Sequence, residues 1–364
     1  MAALLIVIGG CSQAEQPKQP APERTKGAPS QSASKKAPAK PVKPPPPPRA
    51  PETSAENQLH DRIRRLGEEF QGDVGIAARD LESGWTAHFN GEEYFPQQSV
   101  SKLWVAVALL DRVDRGELDL AEEVTLRRDD LTLFYQPIRP LILRPEGYTT
   151  TLGDLLERAI TSSDNTANDY LMWRAGGPDA VRRVLATKGI AGVRFGAGER
   201  ELQSRIAGLQ WKPEYSLSRA FFEAREQVPP EKRKAAFESY LEDPMDGATP
   251  IGIANALGEL EKGQLLSPAS TELLLSIMSR TRSGPRRLKG GLRSGWSIAH
   301  KTGTGQILGG TQAGYNDVGL ITSPDGRTYS VSVLIGRTDR PLAERMALMQ
   351  KAVEAVIQYH GAKS

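Results

Sequence analysis

From residue 57 onward the apolar positions keep two different periods. In 57–70, Leu59, Ile63, Leu66 and Phe70 fall three or four apart, which predicts an amphipathic helix. Residues 72–90 hold two short alternating runs around Glu82-Ser83-Gly84, a hairpin signal. Over 99–110 the helical period returns with Leu103, Val105, Ala106, Leu109 and Leu110, and so few polar positions remain that this helix is expected to be buried. Further helices are expected at 150–162, 164–175, 178–188, 250–262 and 267–280. Beyond residue 295 the character changes to strands at 296–301, 317–322 and 329–337, with Pro324-Asp325-Gly326 turning between the last two. An amphipathic helix over 341–359 ends the pattern. Sheet-forming pieces at both ends with helices between them predict an α+β fold. One antiparallel sheet, flanked by N- and C-terminal helices, carries an inserted all-helical domain. The expected boundaries are 57–98 and 281–364 for the α+β part and 99–280 for the helical part.

The stretch before residue 57 has neither period. Met1 to Gly10 is apolar but too short to cross a bilayer, and it stops at Cys11. Ile8-Gly9-Gly10-Cys11 resembles a bacterial lipobox, which implies a signal segment over 1–11 and lipidation of the Cys11 thiol. The resemblance implies a periplasmic, membrane-anchored lipoprotein that touches the membrane only through that lipid, since several acyl chains anchor stably where one does not. A free thiol without a role is the plain alternative. Residues 12–56 hold twelve of the 26 prolines, including Pro44 to Pro48, and no aromatic residue. Such a segment buries too little surface to offset its ordering entropy and reads as a disordered linker.

Composition narrows the function. Cys11 is the only cysteine, and His60, His88, His300 and His360 are scattered, so neither a disulfide scaffold nor a Cys- or His-rich metal site is expected. No cofactor is expected. The net charge is +3, yet residues 12–56 alone carry eight Lys or Arg against four Glu. The body is therefore close to neutral, which argues against a nucleic-acid partner.

Three short motifs carry chemistry: Ser99-Val100-Ser101-Lys102, Ser163-Asp164-Asn165 and Lys301-Thr302-Gly303. A serine hydroxyl is a weak nucleophile and needs a base. Lys102 lies three residues after Ser99, on the same helix face, and an amine in an apolar setting can accept the serine proton. The helix start adds N–H groups and a positive dipole near a developing oxyanion. Each motif alone also has a bland reading: a capping serine at 99, an N-cap at Ser163, a solvated lysine at 301.

Together and in this order, the trio resembles class A serine β-lactamases and penicillin-binding proteins. Phe95-Pro96-Gln97-Gln98 before Ser99, Ala159 to Asn168 around Ser163, and Gly176-Gly177-Pro178 are similar to the class A pattern. Gly295-Trp296, Lys301 to Gly305 and Tyr315-Asn316-Asp317 resemble its carbapenemase and extended-spectrum branch. The resemblance implies a periplasmic serine hydrolase, expected monomeric, that opens the β-lactam ring through an acyl-enzyme. Ser163 would pass a proton to the leaving nitrogen, and Asn165 would hold Lys102 and a substrate amide. Lys301, Thr302 and Thr304 would bind a substrate carboxylate, and the Thr304 N–H would complete the oxyanion hole. Arg287, fourteen residues before Lys301, stands where some branches carry an arginine for that carboxylate. Phe134 or Tyr135 would wall the site.

One departure concerns deacylation. The family's E-x-x-L-N loop is matched by Glu199-Arg200-Glu201-Leu202-Gln203, with Gln for the water-holding Asn. Gln is one methylene longer, and small misplacements are costly. After it, residues 204–245 look like an insertion, before Asp246 to Pro250 rejoins the pattern. Glu238, in a second E-x-x-L, is the competing base. Glu199 with Gln203 leaves open a penicillin-binding D,D-peptidase or related cell-wall hydrolase acting on a peptidoglycan-like substrate, and a receptor without turnover.

Overall fold

A capping box starts the folded body. The Thr53 side chain accepts from the Glu56 N–H and the Glu56 carboxylate accepts from the Thr53 N–H, so the first helix is Ser54–Glu69 and begins three residues ahead of the periodic signal. The computed structural model describes residues 53–217 and 219–363; Cys11 and the linker reading up to residue 52 lie outside them. The described residues belong to one unit, Pro51–Ser364.

Five strands make the main sheet: β1 (Val74–Asp80), β2 (Thr86–Phe89), β3 (Ser297–Thr304), β4 (Thr311–Thr322) and β5 (Thr328–Thr338). Their spatial order is β2-β1-β5-β4-β3, antiparallel throughout, with Ile307–Leu308 added against β4. The N-terminal and C-terminal parts of the described body therefore pair directly, with Ala77 opposite Ser332. The central strands are buried on both faces, which is why they read as apolar runs instead of clean alternation. On one face, Ser54–Glu69 and Leu342–Lys363 close a core around Ile63, Trp85, Val331 and Val353. On the other, the helical part packs around Lys102–Asp114, which is buried from Lys102 to Leu110. Two small ladders escaped the periodic reading: Phe95–Pro96 with Gly247–Ala248, and Glu123–Leu126 with Tyr148–Thr151. Runs of two and four residues are too short to show a period.

Segment 204–245 is helical, with a turn at Pro213–Ser216 and helices Ala220–Glu226 and Pro230–Glu242. Phe237, Tyr240 and Leu241 pack on Leu202, Ile206 and Ala313. Tyr215 and Phe221 pack on Leu133 and Ala207. Both contacts place the segment against elements that carry site residues. Among the described residues no helix is long and apolar enough to cross a membrane.

Candidate active site

Ser99 lies in a 3-10 turn, Gln98–Ser101, that feeds straight into the Lys102–Asp114 helix. No side-chain cap bond is made at this start, so the capping explanation of the serine fails. The turn is held from outside: Gln98 N donates to Asp246 Oδ2 at 2.8 Å, and Gln98 adopts a left-handed φ of +53°. Gly303 of the lysine strand lies so close that a Cβ there would stand 2.3 Å from Gln97 O. The serine turn and β3 are thereby in direct backbone contact.

Lys102 is fully buried and links two of the predicted residues. Its Nζ donates to Ser99 Oγ at 2.9 Å and forms an ion pair with Glu199 Oε1. Glu199 opens the Glu199–Ile206 helix, whose first N–H groups, Glu199 N and Arg200 N, donate to Asp169 at 2.9 and 3.2 Å. Gly198 before it has φ +86°, and a Cβ would lie 2.7 Å from Met172 Cε, so the approach to Glu199 requires glycine. Burial first, then the Glu199 charge, raises the Asp169 carboxyl to about 6.

The competing glutamate is elsewhere. Glu238 is paired with Arg337 at the surface and takes no part in the pocket. Gln203 does take part: its Nε2 donates to Glu199 Oε2 at 3.1 Å and to Gln98 Oε1 at 3.0 Å, and its Oε1 accepts from Gln306 Nε2 at 3.0 Å.

Ser163 has a left-handed φ of +58° and leaves the helix cap to Asp164, whose carboxylate accepts from Ala167 N and Ile138 N. Its hydroxyl is free to accept from Lys301 Nζ at 2.9 Å. Lys301 is completely buried, and desolvation, with the Lys102 cation second, pushes its amine well below the usual lysine range. It is not the solvated lysine of the bland reading. Asn165 lines the pocket, but its Nδ2 donates to Leu133 O at 2.8 Å, while the Lys102 bonds go to Ser99 and Glu199.

Arg287 lies behind the strand end. It donates to Gly303 O and Asn316 O at 2.9 and 2.7 Å and to Thr304 Oγ1 at 2.6 Å, stacked 3.8 Å from the Tyr315 ring centroid. Because Thr304 Oγ1 accepts from Arg287, its own proton is available to a ligand. Ser283 Oγ and Thr302 Oγ1 share a hydrogen bond at 2.6 Å in which either hydroxyl can donate.

The pocket these residues line holds about 840 Å³, within the range of small-molecule sites. It brings together Ser99, Ser163, Asn165, Glu199, Arg287, Thr302 and Thr304, with Lys102 and Lys301 bonded immediately behind. Phe134 and Tyr135 form one wall, as expected. Sequence reasoning did not find Gln98, Gln306, Ser283, Arg225, Tyr240 or Asp246. Gln98 and Asp246 stood in motif matches, and only the fold gives them their partners.

A fold with one antiparallel sheet, a helical insert and a serine–lysine centre between them is that of the class A serine β-lactamases. The family model for the β-lactamase enzyme family matches residues 58–360. The chain is 30% identical over 310 residues to the extended-spectrum β-lactamase PER-1 of Pseudomonas aeruginosa, covering 85% of this chain and 89% of that protein. It is 29% identical over 268 residues to β-lactamase VEB-1 of the same organism, covering 73% and 78%. A β-lactamase crystal structure from Chitinophaga pinensis superposes with a TM-score of 0.68 at 28% identity, covering 84% of this chain and all of that one (100%). The chain belongs to the β-lactamase enzyme family, in its class A serine branch.

Proposed function

We propose that this protein hydrolyses β-lactams through an acyl-enzyme on Ser99, with Glu199 driving deacylation. The observation that carries the reading is the unbroken contact from Ser99 Oγ through Lys102 Nζ to Glu199. Ser99 Oγ attacks the lactam carbonyl and its proton moves into the Lys102–Glu199 pair. The Ser99 and Thr304 N–H groups stabilise the oxyanion. The lactam C–N bond breaks, the nitrogen takes the proton of Ser163, and the proton removed from Ser99 passes from the Lys102–Glu199 pair to Ser163, whose Oγ is held by Lys301 Nζ at 2.9 Å. Asn165 positions the substrate amide. Thr302 and Thr304 bind the ring carboxylate, with Lys301 and Arg287 supplying positive potential. Glu199, again a carboxylate, then takes a proton from water as the hydroxide attacks the ester, and that proton returns through Lys102 to Ser99 Oγ as it leaves.

Intact mass after mixing with benzylpenicillin tests this. One adduct that forms on Ser99 and disappears as product accumulates is the expected result. Glu199→Gln is expected to keep the adduct, with deacylation slowed by about 10²–10⁴. A persistent adduct on the unmodified protein would point to the D,D-peptidase reading, and no adduct would overturn the nucleophile assignment.

Lipidation of Cys11, periplasmic residence, a proline-rich linker ahead of Thr53 and a monomeric state complete the proposal. The lipobox-like Ile8-Gly9-Gly10-Cys11 supports the lipidation and the residence, and the proline-rich composition supports the linker. Cys11→Ala is expected to move the protein from the membrane fraction to the soluble one; unchanged fractionation overturns the anchor.

A further inference from the structure

Segment 204–245 contributes one residue to the pocket lining, Arg225 of the Ala220–Glu226 helix. Its place is set by aromatic packing. Phe221 is the buried anchor of that helix, in edge contact with Tyr215 and with Phe134, at ring distances of 5.9 and 5.1 Å. Phe222 meets Phe134 at 6.0 Å. The Arg225 guanidinium stands over both phenyl rings, 5.8 and 5.2 Å from their centroids. Phe134 is itself a pocket wall, held in a left-handed φ of +59°. The cation is therefore fixed on the Phe134 side of the cavity.

Arg225 also lacks a counter-anion. It makes no hydrogen bond or ion pair with any described residue, and its Nε is buried without a partner. Glu226 acts on it only through space, and after burial the repulsion of Arg233 is the larger influence. The other cations that line or back the pocket have different stations. Lys102 is paired with Glu199, Lys301 and Arg287 serve the β3 end beside Thr302 and Thr304, and Arg282 is exposed beside Ser283. One ring carboxylate at the β3 end leaves Arg225 unsatisfied.

We infer that Arg225 is a specificity-determining residue, an anchor for a second anionic group carried on the acyl side chain of a β-lactam. The inference rests on the proposed β-lactamase activity and names the substrate class that activity favours. A guanidinium offers a carboxylate a two-pronged, charge-assisted contact, and its aromatic bed holds it ready for one.

The test is a matched pair, benzylpenicillin and carboxybenzylpenicillin, which differ by one side-chain carboxylate. The quantity read is the ratio of their kcat/KM values, so a general loss of folded enzyme cancels. Arg225→Gln is expected to lower the carboxybenzyl-to-benzyl ratio about tenfold, the worth of one charge-assisted hydrogen bond. In the unmodified protein the ratio is expected to fall as salt rises, and in Arg225→Gln to be flat. Arg233→Gln, which removes a neighbouring cation outside this pocket, is expected to leave the ratio unchanged. An equal ratio in the unmodified protein and Arg225→Gln, with no salt dependence, overturns the inference while hydrolysis itself stands. Absence of turnover and of adduct with both penicillins overturns the activity and the inference together.

Discussion

Gln203 carries one methylene more than asparagine, and that reach is taken up on both sides of the side chain. Its Nε2 bridges Glu199 and Gln98, and its Oε1 is fixed by Gln306. Gln98 is itself the first residue of the nucleophile turn, pinned to Asp246. The substitution that looked like a defect beside the general base is thus matched by two further glutamines. Gln203→Asn would withdraw the amide by one C–C bond, about 1.5 Å, and cannot keep contact with Glu199, Gln98 and Gln306 together. Deacylation is expected to slow by about ten- to a hundredfold. Rapid-quench mass spectrometry would show the Ser99 adduct accumulating during turnover; a variant that deacylates as fast as the parent would sink the matched-glutamine account. Glu238→Gln, by contrast, breaks only the surface pair with Arg337 and is expected to change stability by about 1 kcal/mol at most and turnover not at all.

At the scale of elements, the helix Pro230–Glu242 is more than a surface addition, because Tyr240 joins it to the serine turn. The Tyr240 hydroxyl accepts from Gln98 Nε2 at 2.6 Å and donates to Asp246 Oδ1 at 3.0 Å, all three side chains being buried. Tyr240→Phe strands a donor and an acceptor in the interior and is expected to cost about 1–3 kcal/mol, read as a lower urea midpoint at unchanged slope. This element also marks where the sequence stopped being informative. The helices around 99–110 and 150–188 were legible because their buried faces repeat every 3.6 residues, and the three motifs because each is local. Pro230–Glu242 buries only Phe237, Tyr240 and Leu241 amid charged residues, too thin a stripe to announce a helix. Tyr240 finds its partner 142 positions away, a pairing no window of sequence contains. The same limit hid Gln306 and Ser283. The left-handed backbones of Gln98, Phe134 and Ser163, unusual for residues with a Cβ, are imposed by the assembled site and carry no local signature.

For the molecule as a whole, the site gathers buried charges of both signs, and this sets a pH dependence of stability. Asp246, buried against Gln98 and Tyr240, has its carboxyl raised to about 6 from an ordinary 3.8, chiefly by desolvation, and Asp169 stands at about 6 for the same first cause. A carboxyl raised on folding binds its proton more tightly in the native state. Between about pH 4 and 6 the native state therefore holds more protons than the unfolded chain, and each carboxyl's contribution to stability falls as pH rises through that window. Lys301, pushed in the opposite sense, is costly while charged, and that cost fades as pH rises toward the ordinary lysine value. At neutral pH both kinds of cost are present together, because all three groups are desolvated by burial. Asp246→Asn isolates one of them. Whatever its effect at pH 4, the variant lacks the ionisation penalty, so its Tm relative to the parent is expected to climb between pH 4 and 7. Thermal melts at half-unit intervals over that range decide the point: parallel Tm curves for the two proteins would mean that Asp246 ionises in the fold as easily as in the unfolded chain.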